Sequence, residues 1–278
     1  MLRIPSSITD HQFESLKIQD MTFVAYRSDV YPARTEVFFE EYAVIFVLEG
    51  EKKFSNPSQE VIVKKGDVLF VQRGYYLMSE SIDKEYKSLV FFFNEKLLKE
   101  FVNQNRELFI TDNESISPIL ILKATTNFLT FAKSLFPYFQ NESAYQNQFL
   151  RIKFQELILH LLEIDHTQEL RSILYRIYQG QKMELDFVMN KYFLKPLTLA
   201  EISKLSGRSL SAFKREFLEQ YKTTPAAWIK EKRLSHAHFL LKNTTQNVSE
   251  ISQLIGYESV SHFIKAFKER FGDTPNKV

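Results

Sequence analysis

Thr198-Leu-Ala-Glu-Ile-Ser-Lys-Leu-Ser-Gly207 is written a second time 49 positions later, as Asn247-Val-Ser-Glu-Ile-Ser-Gln-Leu-Ile-Gly256. Beyond each glycine the match continues at a spacing of 50. It pairs Ser211 with Ser261, Phe213 with Phe263, Phe217 with Phe267, Tyr221 with Phe271, and Thr224-Pro225 with Thr274-Pro275. The one-residue slip falls at Tyr257 and Glu258, in a turn, where an insertion costs least.

Each copy carries the marks of two helices and a tight turn. Thr198 with Glu201, and Asn247 with Glu250, fit a capping box, in which an N-cap oxygen takes the N3 amide and the N3 carboxylate reaches back. Leu199, Ile202 and Leu205, and Val248, Ile251, Leu254 and Ile255, follow at helical spacing. Gly207 and Gly256 end these short helices, because the closing residue needs a positive φ that glycine adopts without strain. Ser209 and Ser259 then cap a second helix with its buried face at Phe213, Phe217 and Tyr221 in one copy and Phe263, Phe267 and Phe271 in the other. Helix, short glycine turn and second helix make a helix-turn-helix. A solenoid would need at least three units, and only two are present, joined by a long helix. That helix starts at Thr224-Pro225, with Pro at N1, carries Trp228, Leu234, Ala237, Leu240 and Leu241 inward, and ends near Asn243.

Residues 183–278 resemble the DNA-binding domain of the AraC/XylS family of bacterial transcription regulators. The segment Gly256-Tyr-Glu-Ser-Val-Ser-His-Phe-Ile-Lys-Ala-Phe-Lys-Glu-Arg-Phe-Gly272-Asp-Thr-Pro275 matches that family's signature almost position for position.

Charge agrees with the motif. The net +2 conceals 15 Lys plus Arg against 8 Asp plus Glu from Lys191 onward, an excess of +7, which leaves −5 on the rest. A basic segment joined to an acidic one suits a phosphate-binding module fused to a sensor. The aromatic triplets claim one face of each second helix, so its other face, at the N-terminal end, must enter the groove. That gives Leu210, Ser211, Lys214 and Arg215 in the first motif, and Val260, Ser261, Ile264 and Lys265 in the second. The resemblance implies base contacts at Ser211, Lys214 and Arg215 and at Val260, Ser261, Ile264 and Lys265. Lys and Arg suit the O6 and N7 acceptors of guanine, while Leu, Val and Ile suit thymine methyls. The second face is poorer in hydrogen-bonding groups and is expected to position more than it discriminates. Arg208, Lys222, Lys268 and Arg270, with Lys232 and Arg233, are candidate phosphate contacts.

Upstream the pattern changes. Val37-Phe-Phe, Tyr42 to Leu48, Val61 to Val63, Val68 to Val71 and Leu89 to Phe93 read as strands, with turns at Glu49-Gly50, Asn56-Pro57 and Lys65-Gly66-Asp67. Close-set short strands suggest a sandwich or small barrel. The run Lys64-Lys-Gly-Asp-Val-Leu-Phe-Val-Gln-Arg-Gly74 resembles the turn and strand of a cupin barrel. Cupin enzymes hold their metal through histidines and a carboxylate on facing strands. The six histidines are His11, His160, His166, His236, His238 and His262, none between Val37 and Phe93. No metal, cofactor or catalytic residue is expected, and the barrel reads as a sensor or docking surface. A cupin-type enzyme with a helical appendage is the competing reading.

Helices are expected at Glu95–Val102, Pro118–Phe136 and Tyr145–Ile164. The last carries an apolar stripe, Phe149, Ile152, Phe154, Leu157, Ile158, Leu161 and Leu162, that fits either packing on the barrel or a dimer interface, for which Leu150, Phe154, Leu157, Ile158 and Leu161 are the candidates. His166 to Met183 reads as a linker, its first part Leu170-Arg-Ser-Ile-Leu-Tyr-Arg-Ile177 still amphipathic. The expected organisation is α+β: a cupin-like regulatory and dimerisation domain over 1–165, a linker over 166–182 and an all-α double helix-turn-helix domain over 183–278. The N-terminal half, in Tyr42–Gly50, Gly66–Gly74 and Leu150–Leu162, is similar to the ExsA-like activators. That similarity implies a domain that dimerises and answers to a partner protein instead of a small molecule.

With 44% hydrophobic and 25% charged residues, the chain is in the range of soluble globular proteins. No apolar run of about 18 residues reads as a membrane span. Met-Leu-Arg-Ile-Pro5 lacks the apolar core of a secretion signal. Zero cysteines exclude disulfides and thiolate chemistry. A cytoplasmic, homodimeric transcription activator is expected, with double-stranded DNA and RNA polymerase as partners and its small-molecule or protein effector left open.

Overall fold

In the computed structural model every residue is described except 1, 9–13, 19, 29–34, 57–58, 81–84, 110–116, 141–142, 181–182, 184 and 278. His11 and part of the Asn56-Pro57 turn lie outside the described residues. The chain divides into two compact units, residues 1–181 and 182–278.

The first unit opens with β1 (Leu2–Ile4), β2 (Glu14–Ile18), β3 (Met21–Ser28), β4 (Thr35–Phe39) and β5 (Tyr42–Glu49). It continues with β6 (Glu51–Asn56), β7 (Gln59–Lys64), β8 (Asp67–Val71), β9 (Gly74–Glu80) and β10 (Tyr86–Phe93). After α1 (Glu95–Gln104) come β11 (Ile119–Lys123), α2 (Thr126–Lys133), α3 (Phe136–Gln140), α4 (Gln146–Ile164) and α5 (Glu169–Gln179). One sheet has the order β1-β4-β9-β6-β7 and the other β11-β8-β5-β10-β3-β2.

The six-stranded sheet is buried on both faces, which is why its central strands are uninterrupted apolar runs instead of alternating ones. Along β5, Ala43, Ile45 and Val47 point toward the five-stranded sheet, and Tyr42, Val44 and Phe46 point toward the helices. Ile45 pairs with Val90 on one side and Leu69 on the other, so the three central strands keep their alternation in step. Between the sheets Phe39, Phe54, Tyr76 and Phe92 fill the space, with Phe39 edge-on to Tyr76 at 5.2 Å.

The other face carries α1, α2, α4 and α5. Leu150, Phe154, Leu157, Ile158 and Leu161 of α4 all lie in this core, with Phe93 5.3 Å from Phe154 between ring centres. The stripe offered as a dimer interface is therefore core: the apolar face of the sheet lies directly against it. Two further expectations change. Residues 119–123, read as the start of a helix at Pro118, are strand β11, because Ile119, Leu120, Ile121 and Leu122 pair with Val71, Phe70, Leu69 and Val68 at the sheet edge. The helix over 126–133 begins afterward, on the Thr125 cap. Residues 166–182, read as a linker, contain α5, whose Leu170, Ile173, Leu174 and Ile177 join the same core.

The second unit is all helix: α6 (Leu185–Tyr192), α7 (Leu199–Leu205), α8 (Leu210–Tyr221), α9 (Pro225–Asn243), α10 (Val248–Leu254) and α11 (Val260–Phe271). A 3-10 turn over Pro275–Lys277 follows. Two largely antiparallel sheets with helices in one unit and helices alone in the other make the chain α+β.

Candidate nucleic-acid interface

Both helix-turn-helix copies form as the repeat implies. The Thr198 hydroxyl accepts from the Glu201 amide at 3.2 Å, and the Thr198 amide donates to the Glu201 carboxylate at 2.6 Å. Asn247 and Glu250 repeat the exchange at 2.9 Å each way. Gly207 and Gly256 take φ of +72° and +78°, the left-handed turn that lets the next helix start. Ser209 caps α8 and Ser259 caps α11. Thr224 caps α9, with Pro225 in its first turn.

The cores repeat as well. Phe213 and Phe217 are fully buried in the first motif and Phe263 and Phe267 in the second. Tyr221 stacks on Phe217 at 4.3 Å, and Phe271 lies 4.6 Å from Phe267. With those faces turned inward, the opposite faces are left to solvent. On α8, Leu210, Ser211, Lys214 and Arg215 are exposed. On α11, Ser261 and Lys265 are exposed, while Val260 and Ile264 are half-buried and Ile264 packs against the core of its own motif. Among the described residues no carboxylate engages Lys214, Arg215 or Lys265.

The candidate phosphate contacts separate into two groups. Lys222 and Lys268 are exposed. Arg208 is not available: its guanidinium donates to the Ser206 carbonyl at 2.9 Å, the Met183 carbonyl at 2.6 Å and the Glu216 carboxylate at 2.8 Å. It holds the glycine turn of the first motif. Arg270 is committed to Glu231, with three contacts of 2.7–2.9 Å. Those hydrogen bonds from Arg270 hold the Glu231 carboxyl below the ordinary carboxylate range. Lys232 lies over the Trp228 ring at 5.2 Å.

Arg233 is also structural. It donates to the carbonyls of Phe193, Lys195 and Gly256 at 2.5, 2.7 and 2.8 Å, so one fork joins the segment after α6 to the turn of the second motif. Burial lowers its pKa, although an arginine keeps its charge in proteins. The signal for Arg208 was in the sequence, since Glu216 lies one helix face away on α8. Nothing local marked Arg233, whose acceptors are backbone atoms 40 and 23 positions distant. The His262 amide donates to the Ser259 hydroxyl, and its ring lies 5.8 Å from that of Tyr257.

No group of three or more His, Cys, Asp or Glu that could hold a metal occurs among the described residues. No helix among them is long and apolar enough to cross a membrane.

Two capped helix-turn-helix motifs with basic outward faces, preceded by a separate sheet-and-helix unit, define a DNA-binding transcription regulator. Residues 42–173 match the ExsA N-terminal regulatory domain and residues 202–278 the helix-turn-helix domain of AraC type. The chain is 27% identical over 241 residues to the HTH-type transcriptional regulator ExsA of Pseudomonas aeruginosa, covering 86% of each. It is 25% identical over 235 residues to the virulence regulon transcriptional activator VirF of Yersinia enterocolitica, covering 84% of this chain and 86% of that one. Among solved structures it is similar to ToxT from Vibrio cholerae, at 14% identity and a TM-score of 0.41, over 93% of this chain and 97% of that one. The chain belongs to the AraC/XylS family of transcription regulators, with an ExsA-type regulatory domain ahead of its DNA-binding domain.

Proposed function

We propose that this protein activates transcription by placing α8 and α11 in two successive major grooves on one side of a DNA duplex, about 34 Å apart. The observation that carries the reading is the pair of equivalent helix faces, each freed by a buried aromatic face and each bearing unengaged cations. Base contacts fall to Leu210, Ser211, Lys214 and Arg215 and to Val260, Ser261, Ile264 and Lys265. Lys222 and Lys268 supply phosphate contacts. Bound there, the protein recruits RNA polymerase in the cytoplasm.

The N-terminal unit pairs two chains and answers to the effector. The outer face of α4 supports the pairing, with Phe149, Ile152 and Leu159 exposed opposite the buried stripe and Tyr145 just before the helix. A C2 pair would place two DNA-binding units on two half-sites. The packed rings between the sheets leave the surface for an effector, which favours a partner protein over an enclosed small molecule.

A footprint of the full chain on its operator tests the reading. Two protected major grooves per unit are expected, with affinity falling steeply as salt rises. Lys214→Ala should lose about 1–3 kcal/mol and relax preference at one base pair. Protection of a single groove, or an unchanged base preference in Lys214→Ala, would refute it.

A further inference from the structure

We infer that the two motifs read chemically different halves of the operator: α8 a half carrying guanine, through its N7 and O6 acceptors, and α11 a half carrying thymine, through its methyl groups. This rests on both helices entering the major groove, and it assigns what each one recognises there.

The argument comes from comparing positions that the repeat makes equivalent. At a spacing of 50, Leu210 corresponds to Val260, Ser211 to Ser261, Lys214 to Ile264 and Arg215 to Lys265. The caps and the aromatic core set the same helix rotation in both motifs, so each pair faces the groove at the same place. On α8 that place holds an ammonium next to a guanidinium fork, both exposed and engaged by no carboxylate among the described residues. The fork fits two acceptors on one base edge, and guanine presents N7 and O6 side by side.

On α11 the corresponding place holds Ile264 and Lys265, and β-branched Val260 stands where α8 has Leu210. Val260 and Ile264 are half-buried, and Ile264 rests against the core formed by Phe263, Phe267 and Ile251. One side of Ile264 is thereby fixed and the other faces outward, and its branched Cβ restricts the remaining rotamers. A fixed aliphatic surface cannot hydrogen-bond to guanine, and pressing it there would strip water from N7 and O6 without replacement. Against a thymine it meets a methyl group instead. Lys265 stands where Arg215 does but lacks the fork, so it supplies a single charge and no two-point pairing.

The test uses modified bases, which leave the protein intact. Operators are first selected from random duplexes with the full chain. Because the chain has no cysteine, Gln220→Cys on exposed α8 carries an iron chelate whose cleavage marks the half that α8 occupies. Deoxyuridine, which lacks only the methyl group, then replaces thymine in one half at a time, and 7-deazaguanine, which lacks N7, replaces guanine. Deoxyuridine is expected to weaken binding about fourfold per contacted methyl in the α11 half. In the α8 half any effect should be confined to the single methyl within reach of Leu210, leaving that half less sensitive than the α11 half. 7-Deazaguanine is expected to weaken binding about tenfold in the α8 half alone. Lys214→Ile, at an exposed position that should fold normally, moves the selected base of the α8 half from guanine toward thymine. Equal deoxyuridine sensitivity in both halves, or none in the α11 half, overturns this inference while leaving two-groove binding intact. Failure to select any duplex overturns the DNA-binding reading itself.

Discussion

Removing the Arg233 fork should cost the DNA-binding unit a large part of its stability. Arg233→Ala deletes three hydrogen bonds from a charged donor to backbone carbonyls, those of Phe193, Lys195 and Gly256. A hydrogen bond involving a charged group contributes about 1.5–3 kcal/mol when fully buried. These groups are half-buried and water can reach some of the released carbonyls, so roughly half of that sum, about 2–4.5 kcal/mol, is expected. Arg233→Lys keeps the charge and one donor direction but not the fork, and should lose about 2–3 kcal/mol. A unit of this size has about 5–10 kcal/mol in all, so the alanine variant should be close to unfolding.

The assay can be confined to the right unit in the intact protein. Trp228 is the sole tryptophan and lies in α9, edge-on to Phe193 at 6.2 Å and Phe217 at 6.1 Å. Its emission therefore reports unfolding of the DNA-binding unit alone. With a urea slope of about 1 kcal/mol per molar, the alanine variant's midpoint should fall by about 3 M or vanish. A shift smaller than about 0.5 M would refute the clasp. Glycine at position 256 is part of the same device, since a Cβ there would lie 3.0 Å from the Arg233 guanidinium and from the Leu194 carbonyl.

Lys222 closes α8 with φ of +55°, where its repeat partner Gly272 takes +86°. Lys222→Gly should therefore stabilise the unit by up to about 1 kcal/mol, raising the Trp228 urea midpoint, and lower the salt slope of DNA binding by about 1 if the side chain touches a phosphate. Glu231→Gln should destabilise the unit at neutral pH and not in acid: a carboxyl held low by Arg270 stabilises the fold above the ordinary glutamate range and stops doing so as pH falls through the lowered value. Midpoints that stay equally far apart at pH 7 and in acid would contradict that pairing. Leu157→Glu, at a position 1% exposed, should unfold the N-terminal unit, whereas Ile152→Glu, at 59%, should leave it folded and monomeric. Circular dichroism and sedimentation on the two variants decide, and a folded Leu157→Glu protein would return the interface to the inner stripe.

What could be read from the sequence depended on how local the determining interactions are. Caps, closing glycines and aromatic triplets act within about a dozen residues, so both helix-turn-helix motifs and their outward faces were legible from Thr198 to Phe271. Strands β5, β8 and β10 were legible because burial on both faces leaves an apolar run. Strand β6 was not, since Glu51-Lys-Lys-Phe-Ser-Asn56 looks like surface. Its Lys52 is nonetheless 4% exposed, with its ammonium 4.5 Å from the Tyr26 ring and 4.4 Å from the Tyr86 ring. Ile119-Leu-Ile-Leu122 fits a strand or a buried helix equally, and only its partner β8 decides. The side of α4 that faces inward, and the backbone acceptors of Arg208 and Arg233, were likewise settled by segments distant in the chain.

The same separation of local from distant bears on how the DNA-binding unit achieves affinity. Each reading helix on its own offers four side chains, too few for tight binding. Joining them through the 19 residues of α9, about 28 Å of helix, makes the second groove contact intramolecular once the first is formed. That gain depends on the two motifs being held at the spacing of the grooves before DNA arrives, because ordering them on binding would consume it. The capping boxes and aromatic cores make each motif rigid but do not relate one to the other. Arg233 does, since its acceptors lie before the first motif and in the turn of the second. Affinity for a complete operator should accordingly fall further in Arg233→Lys than affinity for a duplex bearing only the α8 half, although the arginine touches no base.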